Sequence, residues 1–342
     1  MKKIVLICLL FSIVLNVRAQ SLDSVEVQPE YQSKYIPVLQ YWEEHNIFQH
    51  LDASVTLGTT GIGIDLASPI GNYIQLRTGF EFMPHFHYIM SFGVEVGDNP
   101  SESASKFESL SKKLKDFTGF EVDNKVDMIG VPTYYNFKFL VDIFPFKKNK
   151  HWHFTAGFYW GNSQLAKAYN TEEDMPSLMA VSIYNNMYDK AVNMEPLFPI
   201  SIGGEPDGWP SDLWVQEQLK EKFENYGRMG VKLGNYVSDG SPYVMEPDKN
   251  SMVHAKVNVN SFKPYLGFGY GGRLLKNNDK YKISFDCGAM FWGGTPSIIT
   301  HDGTDIAKDV DNIRWTVGDY VRFVKGVKVF PVLNVRVTKS LF

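Results

Sequence analysis

Ten charged residues in this chain have the spacing to act together: Asp65, Arg77, Glu81, Lys138, Asp142, Lys263, Arg273, Lys282, Asp286 and Arg336. Each stands in a segment where apolar and polar residues alternate, so each shares one side of an extended strand with its polar neighbours. Both signs are present. Because unpaired charge is costly away from water, the arrangement these residues favour is a paired, hydrogen-bonded filling. Gly267, Gly269 and Gly271 lie on the same face and leave room there for water, a small ligand or a chain segment.

Other residues carry less chemistry. His85 and His87, like His151 and His153, stand two apart and share a face, but neither pair has a third ligand nearby, and a transition-metal site typically takes three or four. His301, Asp302, Asp305, Asp309 and Asp311 gather oxygen ligands without the EF-hand spacing. They read as helix capping, with Asp305 as the cap, beside a solvated acidic face. No nucleophile is spaced with a base, so no catalytic residue, metal or cofactor is expected. Trp209 and Trp214 stand in a long polar stretch and suit a glycan or protein partner, or a small local core.

Strands must position these residues. Tyr281, Ile283, Phe285, Cys287, Ala289 and Phe291 alternate with Lys282, Ser284, Asp286 and Gly288, giving one greasy and one polar face. The same alternation runs through 72–83, 133–145, 151–163, 262–274 and 329–341. Residues 51–68 change phase at Thr59, Thr60 and Gly61, through either a hairpin or a β-bulge; the hairpin brings the strand count to eight and puts both ends of the barrel segment on one side. Short turns at 68–72, 146–150 and 276–279 separate long connections at about 88–126, 166–255 and 294–327, the pattern of an outer-membrane barrel. Residues 101–117, 211–226 and 306–324 have helical spacing, and 35–48 reads as a short amphipathic segment. Tyr73, Trp152, Trp160, Tyr270, Tyr281 and Trp292 stand near strand ends, where amphipathic rings anchor at a bilayer interface.

The chain opens with Lys2 and Lys3, an apolar run from Ile4 to Val14 and small residues around Ala19, the layout of a secretory leader over residues 1–20. Losing Lys2, Lys3 and Arg18 with it takes the net charge from −4 to about −7, with nothing to attract nucleic acid. Cys8 leaves with the leader, and Cys287 alone cannot form an intramolecular disulfide. No later apolar run approaches the ~20 residues of a membrane helix. A hydrophobic content of 44% is ordinary, as a barrel requires when only alternate residues face lipid.

Taken together, the segments LGTTGIGIDLASPIGNYIQLRTGFEF, FKPYLGFGYGGRL, FDCGAMFWGGTPSIITHDGTDIAKDV and KVFPVLNVRVTKSLF resemble a family of outer-membrane β-barrel proteins common in Bacteroidetes, mostly of unassigned function. The resemblance implies a barrel and a location rather than a reaction. Phe342 is an aromatic end of the kind such barrels carry, whereas Ser340, Thr338 and Arg336 replace the apolar residues expected before it. The expected fold is all-β: a transmembrane, antiparallel up-and-down β-barrel of eight strands with helix-containing extracellular loops. A leader at 1–20 and an N-terminal periplasmic or lumenal segment at 21–50 precede a barrel at 51–342. Its expected role is a membrane-embedded scaffold or surface-binding protein with a side-chain-filled lumen and no enzymatic activity; the alternatives are a small-solute channel and, below it, a lipid-modifying enzyme. Expected partners are outer-membrane lipid, the barrel assembly machinery and an extracellular glycan or protein met by the 166–255 loop.

Overall fold

The computed structural model describes residues 38–342 except 46, 97–99, 147–148, 196, 198–211, 276–277, 314 and 342. The expected leader, residues 21–37 and Trp209 lie outside the described residues. Residues Trp42–Phe342 form one compact unit. The first described element is a short helix, α1 (Val38–Glu44). The strands are β1 (Asp52–Gly58), β2 (Gly61–Ile70), β3 (Ile74–Phe82), β4 (Tyr88–Gly93), β5 (Glu95–Val96), β6 (Lys125–Pro132), β7 (Tyr135–Ile143), β8 (Trp152–Gly161), β9 (Gln164–Asn170), β10 (Met229–Tyr236), β11 (Pro242–Met245), β12 (His254–Asn258), β13 (Phe262–Leu275), β14 (Asn278–Phe291), β15 (Ser297–Thr300), β16 (Val310–Asp311) and β17 (Val329–Ser340). The remaining helices are α2 (Pro100–Thr118), α3 (Met175–Val192), α4 (Asp212–Tyr226) and α5 (Trp315–Gly326).

Eight strands close an antiparallel barrel in the order β1, β17, β14, β13, β8, β7, β3, β2. Strict alternation fixes their register, because a slip of one residue would turn every apolar side chain inward. Leu57, Ile64, Phe80, Phe154, Leu266, Phe285 and Val335 face outward and exposed, while Thr56, Asp65, Glu81, His153, Tyr265, Asp286 and Arg336 face inward and buried. The phase change after Leu57 is a hairpin: Gly58 pairs with Gly61, and β1 then closes the barrel through Asp52 opposite Ser340 and Gly58 opposite Asn334. Gly61 sits at φ +104°, where a Cβ would also lie 2.2 Å from the Phe82 carbonyl, so only glycine fits.

The barrel's lower end carries the short turns and its upper end the long connections. These connections leave the wall at Phe82, Gly161 and Phe291 and rejoin it at Tyr135, Phe262 and Val329, wider bounds than the sequence marks. They are not irregular. Five barrel strands continue upward after brief breaks: β3 into β4, β7 from β6, β8 into β9, β13 from β12 and β14 into β15. The five continuations pair in the order β15, β12, β9, β6, β4, which repeats the order of the barrel strands below them. A second sheet, β11–β10–β16 with β5 on β10, faces a core shared with the helices. Leu110 and Leu114 of α2, Leu178 and Val181 of α3, Val126 and Met128 of β6, Met229 and Val231 of β10 and Val317 and Val321 of α5 meet in that core.

Two expected elements differ. Helix α3 occupies a stretch read as loop, and the helix expected over 306–324 begins only at Trp315. Asp305 accepts hydrogen bonds from the Ile298 and Ala307 amides (3.0 and 3.1 Å), which closes a turn, and Val310 then pairs with Tyr236. Ile306, Ala307 and Val310 therefore enter the upper core from a turn and a strand rather than from a helix.

Candidate functional site in the barrel lumen

The lumen is built in layers. In the lower charged layer, β3 supplies Arg77, β7 Asp142, β8 His153 and Thr155, β14 Asp286 and β17 Arg336. Arg77 Nη2 donates to Asp142 Oδ1 at 2.8 Å, and Thr155 Oγ1 donates to the same oxygen at 2.7 Å. His153 Nε2 and Asp286 Oδ1 are 2.7 Å apart, while Arg336 lies 3.3 Å from Asp286 and 3.6 Å from Asp142. Arg336 Nε also donates to Ser284 Oγ at 3.0 Å. Two carboxylates thus share two guanidiniums and an imidazole, with further hydrogen bonds from Thr155 and to Ser284, the kind of pairing under which buried ions are tolerated.

Above this, Lys138 bridges Asp65 (2.7 Å) and Glu81, and Thr56 Oγ1 donates to Asp65 Oδ2 at 2.8 Å. Lys263 donates to Asn136 Oδ1 at 2.9 Å and to the carbonyls of Ser261 and Asn162, both at 3.2 Å. An apolar lid of Tyr134, Leu140, Tyr159, Tyr265, Met290, Trp292 and Val332 completes the filling. The Tyr159 and Tyr265 rings meet edge-on with centroids 5.4 Å apart, and Tyr134 Oη donates to Met290 Sδ at 3.0 Å.

Of the ten residues singled out, Asp65, Arg77, Glu81, Lys138, Asp142, Lys263, Asp286 and Arg336 are buried in these layers. Arg273 and Lys282 are not; they are exposed at the lower mouth. The inner-face glycines do not leave open space throughout: a Cβ on Gly267 would lie 2.4 Å from Tyr265 Oη, and one on Gly269 2.3 Å from His153 Nε2. They make room for a ring apiece. Trp292 is a further correction. It is 5% exposed and stacks on Phe330 at 5.2 Å, because it continues the inward parity of Asp286 and Met290 in β14. Trp152, Trp160, Tyr73 and Tyr270 remain exposed on the outside.

His153, Asp52, Asn136 and Thr155 are also buried inside, and their parity in the strands was the signal that could have added them. His151 stays at the lower mouth with Nδ1 2.6 Å from the Gly271 carbonyl, and His85 and His87 are exposed above β3. Among the described residues no three His, Cys, Asp or Glu side chains are placed to hold a metal ion. The lower mouth holds a vestibule of about 750 Å³ lined by Asp52, Lys150, His151, Arg273, Lys282 and Arg336, among others.

Fold and site together define a class: an eight-stranded β-barrel with an apolar exterior, a side-chain-filled interior and a folded domain above its upper rim. No family model matches the chain, and no curated protein matches it. Among solved structures, CarO2 of Acinetobacter baumannii aligns over 86% of this chain and 99% of that one at 16% identity and a TM-score of 0.36, and CarO of the same organism over 85% and 97% at 14% identity and 0.36. Likeness at that level carries no argument; the barrel stands on its own strand pairing.

Proposed function

We propose that the protein is an outer-membrane anchor that presents a binding domain at the cell surface. The observation that carries this reading is the pairing of a filled lumen with a second core built above it. An outer face rich in Leu, Ile, Val and Phe suits hydrocarbon, and closure leaves no unpaired strand edge in it. The upper domain is the part free to meet a glycan or protein partner, with 166–255 as its largest contribution and Trp214, 50% exposed, on its surface. Barrel assembly machinery and outer-membrane lipid are the partners such a barrel needs, and no catalytic group is assigned to it. The Bacteroidetes family resemblance belongs to the same proposal.

Protease treatment of intact cells tests it. Cleavage within the upper domain should occur without permeabilisation, leaving a detergent-extractable barrel whose mobility on gels shifts with heating. Protein that stays monodisperse in buffer without detergent would contradict the reading. A small-solute channel is the second reading, favoured by the vestibule at the lower mouth.

A further inference from the structure

The lower vestibule contains a feature that folding alone disfavours. Arg273 on β13 and Lys282 on β14 are directly opposed in the ladder, and like charges facing each other across a strand pair destabilise it. Both line the vestibule, joined by Lys150 from the neighbouring turn and by Arg336 at its inner end. Arg336 is already committed to Asp142 and Asp286, and His153 to Asp286. Among the described residues the one acid of the lining is Asp52, which lies 3.9 Å from Lys282, 3.8 Å from His50 and accepts from Gln75 Nε2 at 3.2 Å. Among the described residues three exposed cations and one carboxylate thus line one concave wall, which focuses positive potential into a cavity of about 750 Å³. Asp52 keeps its second oxygen, Oδ1, buried without a hydrogen-bond partner among the described residues. Such an acceptor suits a ligand that brings a donor as well as negative charge.

We infer that this vestibule is a binding site for a phosphate-bearing polyol, its anionic group held by Arg273, Lys282 and Lys150 and a hydroxyl presented to Asp52. The phosphoglycerol group is the simplest such chemistry, and it exists both as a free metabolite and as a lipid headgroup. The site is separate from the upper domain, and its occupancy does not depend on what that domain binds.

The full-length protein in detergent would be titrated with glycerol 3-phosphate by calorimetry, and in parallel placed in nanodiscs of phosphatidylglycerol or phosphatidylcholine for native mass spectrometry of bound lipid. The comparison is a Lys150→Gln/Arg273→Gln/Lys282→Gln variant, all three positions being surface-exposed, with its heat-modifiable gel mobility confirming a closed barrel. Saturable binding of glycerol 3-phosphate that weakens at least about tenfold in the triple variant supports a soluble ligand. Retention of phosphatidylglycerol alone, lost in the triple variant, supports a lipid headgroup. Asp52→Asn should narrow the preference for glycerol 3-phosphate over inorganic phosphate. Absence of both kinds of binding, or equal binding by wild type and triple variant, overturns the inference.

Discussion

Among the described residues Lys138 is the one cation in direct ion-pair contact with Asp65 and Glu81, so its loss leaves two buried carboxylates without an ion-pair partner. Lys138→Met should lower barrel stability by about 3–5 kcal/mol, read as an earlier midpoint in urea unfolding followed by tryptophan fluorescence in micelles. An unchanged midpoint would show that the pair is dispensable. Packing sets a second limit nearby: Gly269→Ala drives a methyl against His153 Nε2 and Asp286 Oδ1, at 2.3 and 2.5 Å, and should cost about 1–3 kcal/mol in the same assay. In the upper domain His254 supplies a pH dependence. Burial, then His301 and Lys256, holds its imidazole below the ordinary 6.5, with Asp248 partly opposing. The unfolded chain therefore binds the proton more readily than the folded one; His254 contributes its full share of stability above about pH 6.5 and loses it as pH falls through the lower folded value. His254→Gln should flatten that part of the upper domain's stability profile, and an unaltered acid limb would rule the residue out. At this scale, parity in the strands made the charged lumen legible. Parity does not show how deep each residue lies, so Arg273 and Lys282 share the pattern of the buried residues although they stand at the mouth.

Barrel strands were legible because each buries one face only, and a period of two survives in the sequence. Their upward continuations were not. Among them β6 alternates only over 125–128, too short a run to mark a strand, and in the second sheet β10 is buried along most of its length, so polar residues no longer mark alternate positions. Helix α3 was missed for a related reason: Met179 and Ile183 add apolar residues beyond its buried face of Leu178, Val181 and Tyr184, blurring the helical period. The break at Thr59–Thr60 was visible as a phase change, and register across Gly58 and Gly61 makes it a hairpin. Helix α5 ties the two parts together, running into β17 within a few residues while Val317 and Val321 enter the upper core. Placing a carboxylate there isolates the effect: Val321→Asp should destabilise the upper domain by on the order of 3 kcal/mol and speed its proteolysis, with the barrel's heat-dependent mobility unchanged. Loss of that mobility shift would mean that the two cores fold as one.

Taken whole, the molecule divides its work along the barrel axis. The outside of the eight strands is apolar, ion pairs and three tyrosines occupy the inside, and five strands rise past the rim to support a domain with its own core. A barrel of about eight strands is wide enough for side chains and little else, so sealing follows from strand number once the inward residues are large and paired. The vestibule below stops at the Arg336 layer, above which Lys138, Lys263, Tyr159 and Leu140 are each no more than 1% exposed. Single-channel recording in planar bilayers tests the seal directly. Purified full-length protein should insert without producing unitary current steps across the range of applied voltage. Steady, reproducible ion-conducting steps from the folded protein would show an open path through the charged layers and contradict the sealed anchor.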